Sequence, residues 1–144
     1  MSTFEHRTKI SREPEEVWGV VADFDNDERW RRVVVMTSGP KGPARVGTST
    51  REVLRFLGST YVTDATVTTV GPGRHLAYEG AGEGTTVRGY RRVEEAPGGA
   101  EFVEGLEVKM SVPMRLLEPL FTRLYSPRIS TELKALKQLL EHAR

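Results

Sequence analysis

The feature that most constrains the fold is a series of five segments in which apolar and polar residues alternate between short, mostly glycine-rich turns. Alternation with a period of two is typical of β-strands, and connections this short join antiparallel neighbours. All five segments are rich in Val, Thr, Tyr and Phe, and they lie near residues 45–57, 59–70, 74–80, 85–95 and 100–110. This part of the chain therefore predicts an antiparallel meander.

A further strand and a helix are predicted before the meander. Residues 3–10 alternate, and one face of that strand would present Phe4, His6, Thr8 and Ile10. Pro14 then suits the first turn of a helix, where its missing N–H has no intrahelical partner to lose. Helical spacing gives this helix one buried stripe, formed by Val17, Val20, Val21 and Phe24.

The acidic residues of ADFDNDERW alternate as they do at the start of a calcium-binding loop. Counted from Asp23, however, the loop position that needs Gly holds Glu28, and the position that needs a bidentate Glu holds Val34. The spacing from Asp25 to Glu28 instead predicts a capping box that opens a second short helix through Trp30.

Helical periodicity returns from Met114 to about His142. Pro119 is expected to start the main helix and Pro127 to kink it. Across Pro127 the centre of the apolar stripe turns by roughly 120° on a helical wheel. A kinked helix lying across a curved sheet would bury both halves, and the element order predicts an α+β fold.

Composition excludes several classes of protein. Lys and Arg number 21 against 20 Asp and Glu, so the net charge of +1 implies no general affinity for nucleic acid. The basic residues Arg29, Arg31 and Arg32 form at most a local patch. The absence of cysteine excludes disulfides, thiolate metal sites and a Cys nucleophile. No window approaches a membrane span, and the three scattered histidines do not resemble a metal site.

From these features we expect the 144 residues to form one domain, 1–144, without cofactor or metal. We also expect a cytoplasmic protein that does not insert into membranes and is a monomer or a homodimer.

The chain resembles the START-like (SRPBCC) superfamily, in particular its polyketide cyclase/dehydrase and lipid-transport branch. The matching pieces are spread over nearly the whole sequence: Ile10 with PEEVW, ADFDNDERW, Val46-Gly47-Thr48, VGPGRHLAYE and LKALKQLLE. The resemblance implies a helix-grip fold, in which a curved antiparallel sheet of about six or seven strands wraps around the long C-terminal helix. It also implies an apolar ligand in the cavity between sheet and helix.

Polar residues on the predicted inner faces are the candidates for chemistry. Glu52 shares a face with Val46, Thr48, Thr50, Leu54 and Phe56, and Glu104 shares one with Phe102 and Leu106. In the helix-grip arrangement the first strand pairs with the last, so His6 is expected near Glu104. A buried carboxyl group either finds a partner, such as Arg91, or its pKa rises, as a general acid near neutral pH requires. Glu52, Glu104 and His6 are therefore the predicted catalytic residues.

The predicted ligand contacts are mostly apolar, as is usual for such pockets. They are Trp30, Phe56, Tyr78, Arg91, Leu106, Met110, Leu117, Phe121 and Leu124. Trp30 and the loop around Lys41 are expected to gate the cavity mouth. The facing of residues 59–70, and hence of Asp64, is left undecided, because the apolar residues of this strand fall on both faces.

Three functions are compatible with these expectations. The first is binding of a small hydrophobic, lipid- or polyketide-like molecule without chemistry. The second is a polyketide cyclase or dehydratase in which the inward acids move protons. The third is a protein-interaction module whose cavity is filled by side chains.

Overall fold

The structure is a computed structural model that describes residues 2–32, 34–56, 58–111 and 114–142. For residues 35, 36, 56 and 114 the description is confined to the backbone. Within these ranges seven strands form one sheet in the order β1-β7-β6-β5-β4-β3-β2. Their bounds are Ser2–Ile10 (β1), Val34–Ser38 (β2), Ser49–Phe56 (β3), Ser59–Val70 (β4), His75–Gly82 (β5), Thr85–Ala96 (β6) and Gly99–Met110 (β7).

Neighbouring strands are antiparallel throughout, and the predicted meander is confirmed as β3 to β7. The predicted pairing of the first strand with the last is also confirmed, with His6 opposite Glu104 in the register of β1 and β7. The five-residue strand β2 was not predicted. It is too short to show a clear alternation and forms an edge of the sheet.

The predicted strand 45–57 begins four residues later than expected, at Ser49. Residues before it form a turn in which the Arg45 amide donates to Thr48 Oγ1 at 2.9 Å. Val46, which was predicted to face inward, is 66% exposed in this turn. A period-two pattern cannot distinguish the last residues of a turn from the first residues of a strand.

Helix α1 spans Pro14–Val21 and buries Val17 and Val21, as predicted. The second short helix is a 3₁₀ helix, Phe24–Arg29, and its cap differs from the prediction. Asp23, not Asp25, is the N-cap, because its Oδ1 accepts the Asp25 amide at 3.0 Å. With acids at alternate positions, the sequence did not indicate which of them would adopt the extended backbone of a cap.

A second 3₁₀ helix, Met114–Leu117, leads into helix α2, Glu118–Glu141. Pro119 lies in the first turn of α2, as predicted, and Pro127 lies inside it. The buried side chains of the C-terminal half are Ile129, Glu132, Leu133, Leu136 and Leu140. No helix among the described residues is long and apolar enough to cross a membrane.

We call the sheet surface that faces α2 the inner face. The core fills the space between this face, α1 and the C-terminal half of α2. Its most buried members include Ile10, Val17, Phe102 and Leu136. The N-terminal half of α2 is less well covered, since Leu120 is 54% exposed.

Candidate functional site

A cavity of about 970 Å³ lies between the inner face and the N-terminal half of α2. Strands β3 to β7 line one side, and Leu117, Leu120, Phe121 and Tyr125 line the other. Several sheet positions around it have small residues, namely Thr50, Thr63, Ala65, Gly82 and Thr85. The sheet therefore lacks the side-chain volume to fill this space.

The middle of the cavity has apolar walls, formed by Leu54, Val67, Val87, Leu106, Val108 and Met110. Four large lining residues are also exposed to solvent, and we call them the rim: Tyr61, Val62, Leu117 and Leu120. Their exposed fractions run from 37% for Tyr61 to 59% for Leu117. These four residues give the mouth an apolar part beside the exposed polar lining residues Thr60, Asp64, Glu83 and Ser111. This apolar part lowers the cost of passing an apolar molecule through the mouth.

Charged side chains concentrate at the other end of the cavity. Arg31, Glu52, Arg91 and Glu104 line it there. Asp27 and Glu132 contact the two arginines and are themselves 0% and 2% exposed. We call these six residues the buried charge cluster.

Asp27 holds Arg91 in a bidentate ion pair. Arg91 Nη1 and Nη2 donate to Asp27 Oδ1 and Oδ2 at 2.9 and 2.7 Å, and Nη1 also donates to the Val21 carbonyl at 2.9 Å. The guanidinium carbon lies 4.6 Å from the ring centre of Phe24 and 5.2 Å from that of Trp30. Parallel hydrogen bonds and aromatic faces compensate for the loss of water around this arginine.

Arg31 extends the cluster toward Glu52 and α2. Its Nη1 donates to Asp27 Oδ2 at 3.0 Å and to Glu52 Oε1 at 2.6 Å, and its Nε lies 3.9 Å from Glu132 Oε1. Burial acts to lower the pKa of Arg31, but the carboxylates of Glu52, Asp27 and Glu132 raise that pKa well above its ordinary value. Arg31 therefore stays charged inside the protein.

Glu104 is the least well paired carboxyl group of the cluster. Its Oε2 lies 4.0 Å from Arg91 Nε, and neither atom makes a hydrogen bond within the described residues. Burial raises the pKa of Glu104, although Arg91 and Arg31 oppose that rise. Burial likewise raises the pKa of Tyr78 and of Tyr125, so both phenols keep their protons at neutral pH.

The 3₁₀ geometry of Phe24–Arg29 explains why an aspartate is buried here. Residues three apart share one face of a 3₁₀ helix, which has three residues per turn. Phe24, Asp27 and Trp30 follow this spacing and are 7%, 0% and 1% exposed. The two aromatic side chains therefore bring Asp27 inward with them, toward Arg91.

Residues 1–141 match the model of the family described as polyketide cyclase / dehydrase and lipid transport. This chain belongs to that family. No protein with a curated description matches the sequence significantly.

Solved structures of low sequence identity share the fold. Protein TTHA0849 of Thermus thermophilus superposes with a TM-score of 0.82 at 18% identity, covering 96% of this chain and 97% of that one. The Zhui aromatase/cyclase of a Streptomyces species gives 0.81 at 13% identity, with coverages of 98% and 94%. A START superfamily protein of Mycobacterium smegmatis gives 0.78 at 14% identity, with 97% of each chain covered. These likenesses confirm the predicted helix-grip fold.

Most of the site residues predicted from the sequence surround the cavity. Those that line it are Glu52, Glu104, Tyr78, Arg91, Leu106, Met110, Leu117 and Phe121. Alternation along β3, β5, β6 and β7 was sufficient to find those on the sheet, because these strands are regular where they face the cavity. Helical periodicity indicated Leu117 and Phe121. Their roles in binding or catalysis stay predictions.

His6 lies outside the described lining of the cavity. It pairs in register with Glu104, as expected, but its ring extends toward α2. There its Nε2 lies 3.1 Å from Ser126 Oγ and its Nδ1 lies 3.2 Å from Ser130 Oγ. The ring of His6 is thus joined to the helix, and His6 is not among the described residues that line the cavity.

Two predicted gate elements do not reach the described cavity lining. Trp30 is 1% exposed and packs edge-on against Phe102 in the core. Lys41 is exposed, and the next amide of its loop, that of Gly42, donates to Asp23 Oδ2 at 3.1 Å. The loop is held against the 3₁₀ helix and does not approach the rim.

Leu124 and Phe56, the two remaining predicted ligand contacts, have different outcomes. Leu124 is 38% exposed and is not among the described lining residues, whereas Leu120 and Phe121, on an adjacent part of α2, are. The side chain of Phe56 lies outside the described residues.

The facing of β4 is now settled. Tyr61, Thr63, Ala65 and Val67 point to the inner face, where Val67 is 2% exposed. Asp64 borders the cavity, but its side chain is exposed and pairs with Arg51, whose Nε donates to Asp64 Oδ1 at 2.7 Å. This exposed ion pair places Asp64 outside the candidate chemistry.

The site residues predicted from the sequence did not include Asp27, Arg31 or Glu132. Arg31 was considered only as part of a local basic patch, yet it is 9% exposed and belongs to the cluster. The three-residue spacing of Phe24, Asp27 and Trp30 was the available signal for Asp27. The sequence signal for Glu132 was weaker: this residue directly precedes Leu133 in the buried half of α2.

Proposed function

We propose that this protein binds one small hydrophobic molecule in the cavity between the sheet and α2. The observation that supports this most directly is a cavity of about 970 Å³ with apolar walls and an apolar rim. Ligand pockets commonly have volumes of roughly 300–1,000 Å³ and combine apolar walls with a few polar groups. The interaction-module alternative required a filled cavity, and side chains do not fill this one.

Titration with an environment-sensitive apolar dye tests the proposal. Saturation near one dye per chain, with displacement by one class of apolar compounds, is the expected result. Val87→Trp is the matched blocking variant, because Val87 lines the cavity and a larger side chain there removes volume. Thr86→Trp, at the adjacent exposed position on the opposite face of β6, is its control. Equal dye binding by both variants would argue against binding in this cavity.

Proton-transfer chemistry of the cyclase or dehydratase type is a second candidate, supported by one observation. Glu104 lines the cavity with a pKa raised by burial, as a general acid or base near neutral pH requires. Glu104→Gln and Glu52→Gln are expected to abolish most turnover of a polyketide-type substrate if that chemistry occurs. His6→Gln should have a smaller effect, since Ser126 and Ser130 hold His6 outside the described lining. Unchanged turnover in both Gln variants of the acids would exclude the catalytic role.

A further inference from the structure

We propose that the polar end of the cavity selects ligands whose polar group is a hydrogen-bond donor without negative charge, such as a hydroxyl or an amine, and rejects carboxylates. This inference rests on the proposed binding function and specifies the ligand class. It concerns the end of the cavity lined by Arg31, Glu52, Arg91 and Glu104.

The charge balance at this end leaves no positive charge for an anion. Three carboxyl groups, those of Asp27, Glu52 and Glu104, lie within 4.0 Å of the two guanidinium groups of Arg31 and Arg91. Glu132 adds a fourth carboxyl group, 3.9 Å from Arg31. A ligand carboxylate would therefore enter a buried site in which acids already outnumber cations, and it would lose its own hydration.

The two arginines are also held in place by the protein. Arg91 is fixed by its bidentate pair with Asp27 and by the Val21 carbonyl. Arg31 shares its Nη1 between Asp27 and Glu52. A ligand carboxylate that took the Nη groups would separate them from a buried aspartate or glutamate, and an unpaired buried charge is costly. The Nε atom of each arginine makes no hydrogen bond within the described residues, but Glu132 and Glu104 lie 3.9 and 4.0 Å from these atoms, so a ligand carboxylate there would meet a like charge.

Glu104 is the group that would meet the ligand. It lines the cavity, it is 7% exposed, and its Oε2 has no hydrogen-bond partner among the described residues. A carboxyl group in this state accepts a hydrogen bond from a hydroxyl group or pairs with an ammonium group. A ligand of this kind supplies a partner to a buried acid, whereas a carboxylate adds a like charge beside it.

Displacement of the apolar dye by three probes with one tail tests the inference. Dodecanol, dodecylamine and dodecanoate are compared at neutral pH, below the concentrations at which they form micelles. Dodecanoate is expected to be the weakest of the three, by about tenfold or more relative to dodecanol. Dodecanoate displacing the dye as well as either of the others would overturn the inference.

A pair of variants locates the selectivity in the cluster. Glu52→Gln removes a carboxylate 2.6 Å from Arg31, so the preference for dodecanol over dodecanoate should shrink by several-fold. Glu79→Gln removes the same charge from an exposed ion pair with Arg88 and should leave the preference unchanged. An equal preference in wild type and Glu52→Gln would contradict the assignment to this cluster. The comparison of the three probes on the wild-type protein still tests the inference if Glu52→Gln does not fold.

Failure of the inference and failure of the proposed function give different results. If the dye does not bind at all, the cavity does not bind apolar molecules, and the proposed function fails. If the dye binds but dodecanol and dodecylamine do not displace it, the cavity binds apolar molecules and the inferred ligand class is wrong.

Discussion

Asp27 pairs with two buried arginines, Arg91 and Arg31. Removing the charge of Asp27 leaves both guanidinium groups with less charge compensation, although the two arginines are only 1% and 9% exposed. Asp27→Asn is therefore expected to lower the free energy of unfolding by about 3–5 kcal/mol, measured by chemical denaturation. Glu28→Gln, at the next and exposed position, should change it by less than about 0.5 kcal/mol. A small effect of Asp27→Asn would show that the cluster tolerates an unpaired arginine.

Glu104 is expected to make the stability of the folded protein depend on pH, in a direction that its pKa determines. Because its pKa in the folded protein is raised above the ordinary 4.5, the folded state binds the proton more tightly than the unfolded state. Its contribution to stability is fully present below pH 4.5 and is lost as the pH rises through the folded pKa. Glu104→Gln should therefore gain stability relative to wild type as the pH increases from acid to neutral. Thermal unfolding of both proteins across that range checks the sign, and a difference independent of pH would contradict it.

At the scale of elements, the pairing of β5 with β6 shapes the cavity wall. Tyr78 pairs with Gly89 on the inner face, and a Cβ atom at Gly89 would overlap the Tyr78 ring. Tyr90 and Gly105 make the same arrangement between β6 and β7 on the opposite face. The two glycines thus give each tyrosine ring room to lie flat on the sheet.

These two glycines provide a matched pair of substitutions. Gly89→Ala should push the Tyr78 ring into the cavity and weaken dye binding, while Gly105→Ala should displace Tyr90 and leave dye binding unchanged. Both are expected to cost about 1–3 kcal/mol of stability, because each adds a methyl group to a filled position. Dye affinity distinguishes them, and equal affinities would mean that Tyr78 does not limit the ligand volume.

Helix α2 divides into two halves with different partners. Its C-terminal half packs on the core, whereas its N-terminal half covers the cavity and leaves Leu120 and Leu124 partly exposed. Pro127 lies between them and cannot donate its amide to the preceding turn. The predicted kink at this position stays a prediction, and residual dipolar couplings across the helix would measure it.

At the scale of the whole molecule, ligand binding should stabilise the fold. A ligand that binds only the folded protein adds about 2.7 kcal/mol at a free concentration 100-fold above its Kd. For a chain of this length the unfolding temperature should rise by several degrees, as measured by differential scanning calorimetry with a ligand that displaces the dye. Val87→Trp should lose this increase and Thr86→Trp should keep it. An equal rise in the unfolding temperature of both variants would show that the ligand binds outside this cavity.

By itself the sequence determined the strand meander, the helices at both ends and part of the cavity lining. Alternation identifies the inner residues Glu52, Arg91 and Glu104, because a regular strand sends every second side chain to the same face. The element order indicated an α+β fold, and the resemblance to the START-like superfamily implied the helix-grip arrangement, which the solved structures confirm.

Only the tertiary structure decided which charges meet. Asp27 and Arg91 are 64 residues apart in the chain. They touch because α1 packs against β6 and brings the adjoining 3₁₀ helix close to Arg91. His6 and Glu104 face each other in register, and α2 supplies the two serine hydroxyls that the imidazole contacts. Local periodicity fixes the direction of a side chain within its own element. The partner that satisfies its charge or hydrogen bonds comes from another element, brought close only when the layers pack.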